Sequence, residues 1–80
     1  MKAIVTVMLK EGVLDAPGRA IGQALSALGF AGVQDVRAGR VIEIDLAGLD
    51  TAEAHTQATD MARRLLANTV IERFAVEVKE

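Results

Sequence analysis

The segment Lys2-Ala3-Ile4-Val5-Thr6-Val7-Met8-Leu9 alternates with a period of two, and both of its faces carry apolar side chains. Ala3, Val5, Val7 and Leu9 fall on one face; Lys2, Ile4, Thr6 and Met8 fall on the other. That period, with β-branched residues, predicts a strand. Either Ile4 and Met8 are ordinary exposed apolar residues, or the second face of the sheet is covered by another subunit. A chain of 80 residues is a single small domain (1–80) with little material for a second covering layer. Chains this short bury only about 60% of the surface that their unfolded form exposes. No cysteine is present to form a disulfide or a Cys-based zinc site. With 51% hydrophobic residues, self-association is the remaining route to stability. Ile4, Thr6 and Met8 are the candidate self-association residues.

The rest of the chain supplies two helices and three further strands. Asp15 is placed as an N-cap, Pro17 is tolerated in the first turn, and Ala20, Ile21, Ala24, Leu25 and Leu28 form one apolar stripe. Gly29 fits the left-handed position that ends such a helix. Residues 33–37 and 40–46 are predicted as strands joined across Ala38-Gly39 in a hairpin. A two-residue loop would set Val36 opposite Val41, and a bulge would set it opposite Ile42. Asp50-Thr51-Ala52-Glu53 has the form of a capping box for a helix to about Ala67, with Ala54, Ala58, Met61, Ala62 and Leu65 inward. Residues 72–79 alternate again as the last strand. The order β-α-β-β-α-β predicts an α+β two-layer sandwich: a mostly antiparallel four-stranded sheet with two helices on one face.

Charge and motif content narrow the function. The net charge is −2, the cations are scattered, and Phe30 and Phe74 are the only aromatics. A nucleic-acid partner would need a basic stripe or stacking aromatics, so none is expected. No apolar run approaches the ~20 residues of a membrane span, and the start of the chain lacks a signal-like apolar region; no membrane partner and a cytoplasmic location are expected. The stretch from Gly12 to Ala20 has the strand-loop-helix layout of a phosphate loop. Its two glycines are one residue too far apart, however, Ala20 stands where the hydroxyl residue belongs, and Pro17 removes a donor. It reads as a strand-to-helix corner. The single histidine, His55, and Ser26 have no base or nucleophile beside them in either helix pattern. Glu43 and Asp45 share a strand face that is ordinarily solvated. No catalytic, cofactor-binding or metal-binding residues are expected in this chain. Lys10, Arg19, Arg37 and Arg40 are candidate partner contacts, because like charges near a hairpin turn repel unless an acidic group meets them. Plain solubility is the competing explanation.

Several strings together resemble one family. These are Leu9-Lys10 with Gly12-Val13-Leu14-Asp15, Gly18, Leu28-Gly29-Phe30, Val36-Arg37 with Gly39-Arg40, and Leu65-Leu66-Ala67-Asn68 before Val70-Ile71-Glu72. Over nearly the whole chain they resemble PurS, the small subunit of phosphoribosylformylglycinamidine synthase. Glu11 and Thr69 depart from the prolines frequent in that family. The resemblance implies a non-catalytic subunit in purine biosynthesis. It would act as a homodimer or higher oligomer that holds a glutaminase subunit against an ATP-dependent synthetase subunit, while the complex consumes ATP, Mg and glutamine. Two other functions fit the same topology. A metabolite-sensing regulatory module would bind amino acids or nucleotides by itself. A small phosphatase would need a phosphate cradle around Arg37 and Asn68, which the sequence does not display.

Overall fold

The computed structural model describes all 80 residues, Met1–Glu80. The alternating first segment forms β1 (Lys2–Leu9), and it becomes the central strand of a three-stranded antiparallel sheet ordered β2-β1-β3. The flanking strands are β2 (Gly39–Asp45) and β3 (Glu72–Lys79). Val5 lies opposite Ile42 on one side and Val76 on the other. Directly opposed residues share a face, so Ala3, Val5 and Val7 join Ile42, Ile44, Phe74 and Val76 on the inner face.

A single helix covers that face. Asp50 caps α2 (Thr51–Met61) with the expected capping box: its carboxylate accepts the Glu53 N–H at 2.8 Å, and the Glu53 side chain accepts the Asp50 N–H at 3.3 Å. Ala54, Ala58 and Ala62 are completely buried, and their small side chains let the helix lie close to the sheet. The helix ends in a π turn, Ala62–Leu66, closed by a bond from the Ala67 N–H to the Ala62 carbonyl. The wider turn brings Leu66 onto the core cluster and leaves Leu65, expected to point inward, 83% exposed.

Two expectations are corrected by the structure. The first is the fourth strand. Residues 33–38 run without a strand ladder, and β2 pairs with β1 instead of folding back on them. Neither hairpin register therefore occurs. The backbone of this segment is held elsewhere, by α1 (Ala16–Ala27) and the loop before it. The second is the position of α1. It does not lie on the sheet beside α2; α2 is the helix that makes substantial contact with the strands. Together α1 and residues 28–38 form an arm beyond one end of the sheet, in a molecule measuring 49 × 26 × 14 Å. The arm's helix end matches expectation: Gly29 has φ +99°, the Gly29 N–H donates to the Ser26 carbonyl, and the Phe30 N–H to that of Leu25.

The core is thin. Val5 and Val7 are the largest side chains that are fully buried. Val5→Ala is expected to lower the free energy of unfolding by about 2–3 kcal/mol. Urea titration followed by circular dichroism measures it; a loss indistinguishable from zero would show that the β1–α2 layer is not the core.

Candidate functional site

The loop between β1 and α1 is organised around one carboxylate. Asp15 is 4% exposed. One of its oxygens accepts the Gly18 N–H at 2.8 Å as the N-cap of α1, and the other accepts the Ala38 N–H at 2.7 Å. Arg37 brings its Nε to 3.9 Å of the same carboxylate. The Gly18 bond, then the Ala38 bond, and lastly the charge of Arg37 hold the Asp15 carboxyl below its ordinary value, against the opposing effect of burial. The Arg37 guanidinium also donates to the carbonyls of Leu9, Lys10 and Val13, at 3.3, 3.2 and 3.4 Å. Gly18 is required here because a Cβ would collide with the Val36 carbonyl oxygen. The helix N-terminus, where a phosphate loop would place its anion, is filled by the chain's own Asp15.

A second cluster joins the same end of the sheet to the end of α2. Arg40 and Glu72 form a two-pronged ion pair, at 2.7 Å (Nη1–Oε2) and 3.1 Å (Nη2–Oε1). Arg40 also donates to the Leu66 carbonyl in the π turn. Glu72 accepts the Asn68 N–H at 2.7 Å. Its carboxyl is held below the usual value, chiefly by the Arg40 hydrogen bond and then by the Asn68 N–H. One signal of this pair is present in the sequence. Arg40 and Glu72 sit at inward-facing positions of their strands, in phase with Ile42 and Phe74, where an isolated charge would be costly.

The sequence-derived residues therefore separate into groups. Arg37 and Arg40 are engaged within the chain. Lys10 and Arg19 are exposed, and neither side chain enters an ion pair or hydrogen bond. Ile4, Thr6 and Met8 lie together on the outer face of the sheet, with Val41 and Ala75 opposite Thr6. No helix covers that face. Lys2, Glu43, Asp45, Glu77 and Lys79 ring it at one end, and Arg73 lies opposite Met8 at the other. A second apolar surface runs along the arm, where Ile21, Leu28, Phe30 and Val33 are 46%, 74%, 57% and 39% exposed. His55 and Ser26 are exposed on separate helices, and no three His, Asp or Glu side chains gather as metal ligands. What the arrangement offers is docking surface: two apolar faces and a braced corner.

Comparison with known proteins agrees. The family model for PurS, phosphoribosylformylglycinamidine (FGAM) synthase, matches residues 2–80. The chain belongs to the PurS family. The PurS subunit of the Archaeoglobus fulgidus synthase is 39% identical over 80 residues, spanning all of both chains. That of Bacillus subtilis is 42% identical over 79 residues, 99% of this chain and 93% of the other. In three dimensions the chain superposes on Methanocaldococcus jannaschii PurS with a TM-score of 0.90 at 35% identity, covering 99% of this chain and 95% of that one. The PurS strings of the sequence thus fall largely on the braced corner and the Arg40–Glu72 cluster.

Both clusters predict acid sensitivity. Asp15 and Glu72 are held below their ordinary values of 3.8 and 4.5. Their contribution is complete above those values and is lost as pH falls through the lower folded ones, because the unfolded chain there binds more protons. The urea midpoint is expected to be flat near neutrality and to fall below about pH 4.5. Asp15→Asn and Glu72→Gln should each shallow that fall; an unchanged acid limb in both variants would contradict the assignment.

Proposed function

We propose that this chain is a non-catalytic subunit of FGAM synthase in purine biosynthesis, acting as a homodimer that joins the glutaminase and synthetase subunits. The observation that carries the proposal is the pairing of PurS membership with two broad apolar faces that the chain itself leaves open. The related M. jannaschii protein is one of the subunits of formylglycinamide ribonucleotide amidotransferase in the purine biosynthetic pathway. The Thermotoga maritima chain of the same fold, at 24% identity and a TM-score of 0.86, belongs to a structure of PurLQS.

In this scheme the chemistry resides in the larger subunits. One hydrolyses glutamine to glutamate and ammonia; the other uses ATP and Mg to convert formylglycinamide ribonucleotide to the amidine. Ammonia released into water is protonated or diffuses away, so the two sites must be docked with the path between them closed to solvent. A small rigid dimer supplies that docking without a reactive group. Self-association covers apolar surface, with Ile4, Thr6 and Met8 the proposed contacts of the outer sheet face. Lys10 and Arg19, uncommitted within the chain, are proposed to meet acidic groups on the larger subunits. Arg37 and Arg40 serve these contacts by bracing the corner that presents them.

Reconstitution tests this. With the glutaminase and synthetase subunits present, omission of this chain is expected to abolish glutamine-dependent amidine formation while sparing the reaction driven by added ammonium. Unchanged glutamine-dependent activity would overturn the proposal. Charge reversal at both Lys10→Glu and Arg19→Glu is expected to weaken assembly about tenfold, mainly through slower association and more strongly at low salt. Unaltered assembly would remove these two residues from the interface.

A further inference from the structure

The arm leaves its own chain with two matching defects. A two-layer sheet of this kind is normally covered by two helices. Here α2 lies over β1 and β3, and Ile42 and Ile44 of β2 remain only partly covered. The helix that would complete the layer, α1, projects past the end of the sheet with Ile21 and Leu28 facing solvent. The chain thus presents one uncovered half-sheet and one uncovered helix. The dimensions agree: the 12 residues of α1 span roughly 18 Å as a helix, and the 7 residues of β2 roughly 23 Å as a strand.

The size of the exposed surface identifies what covers it. The radius of gyration is 15.9 Å, against about 12 Å for a compact chain of this length. The accessible surface, 5628 Å², exceeds by roughly 1,000 Å² what a folded monomer of this mass presents. A stable dimer buries about 800 Å² on each partner. The surplus on one chain therefore matches one protomer's share of an interface, and a two-fold axis fits each defect to its complement on the other copy.

We propose that two copies exchange arms. The α1 of each lies beside α2 of the other, and Ile21, Leu25 and Leu28 close over the second copy's Ile42 and Ile44. This rests on the homodimer proposed above and specifies how it is built. It assigns the dimer contact to the arm and leaves the outer sheet face, with Thr6 at its centre, free for stacking of dimers or for a larger subunit. The Asp15 corner then has a role beyond local stability, because it sets the angle at which the arm leaves the sheet.

The absence of cysteine from the chain makes a direct test simple. Two differently tagged chains, one Leu25→Cys and the other Ile42→Cys, are mixed, equilibrated and oxidised. The expected product is the mixed disulfide between the two tags, with far less self-coupling of a Thr6→Cys chain under the same conditions. Ile21→Glu is expected to keep the circular-dichroism spectrum of the sheet and α2 while weakening dimerisation at least about tenfold by light scattering. A wild-type chain that scatters as a monomer at micromolar concentration would overturn the homodimer itself. A wild-type dimer that forms no Leu25–Ile42 link and is unaffected by Ile21→Glu would overturn arm exchange alone.

Discussion

The bridge made by the Asp15 carboxylate is the contact on which the shape of this molecule depends. One oxygen stops the N-terminus of α1 and the other holds the N–H of Ala38, 23 residues later. The two ends of the arm are thereby fixed to the same point at the edge of the sheet. Arg37 completes the arrangement by taking up the carbonyls of Leu9, Lys10 and Val13. Backbone groups that would otherwise be free for a hairpin are already satisfied. The arm is consequently a closed loop of structure with a rigid base. It stays clear of the sheet because its root is tied, although its apolar stripe would favour burial.

That geometry explains how so little core suffices. Within one chain the fully buried apolar residues are β1 valines and alanines of β1 and α2, few enough that the sheet and one helix form a thin layer. The Arg40–Glu72 pair strengthens the open end of that layer by joining β2, β3 and the π turn. Its charges face inward, and the carbonyl of Leu66 and the N–H of Asn68 satisfy the remaining donor and acceptor capacity. A braced frame with large open apolar faces suits a protein whose work is to hold others, since the faces are positioned before any partner arrives and little ordering remains to be done on binding.

Much of the fold was legible in local pattern. β1 and β3 have the predicted limits, both N-caps are where Asp15 and Asp50 place them, and Gly29 ends α1 in the left-handed conformation. Each of these depends on neighbours within a few residues. The misplacements have a common origin in distant partners. Residues 33–37 have a strand's alternation but no ladder, because Ala38 and Arg37 are committed to the loop before α1. Leu65 has a core residue's spacing but points outward, because a π turn changes the helical phase after Ala62. Of the candidate contacts, the sequence could not separate Arg37 and Arg40 from Lys10 and Arg19; the first pair differs only in having acceptors brought to it by the fold.

The sequence by itself determined the element types, the caps, the absence of a phosphate loop and the family, since these are written in short-range spacing and in strings that stand together. Only the tertiary structure decided that the sheet has three strands, that Asp15 joins residues 18 and 38, and that α1 stands apart from its own sheet. Those outcomes depend on which hydrogen bonds form between residues more than twenty positions apart. Local periodicity is blind to that competition: it marks a face as apolar without saying what will cover it.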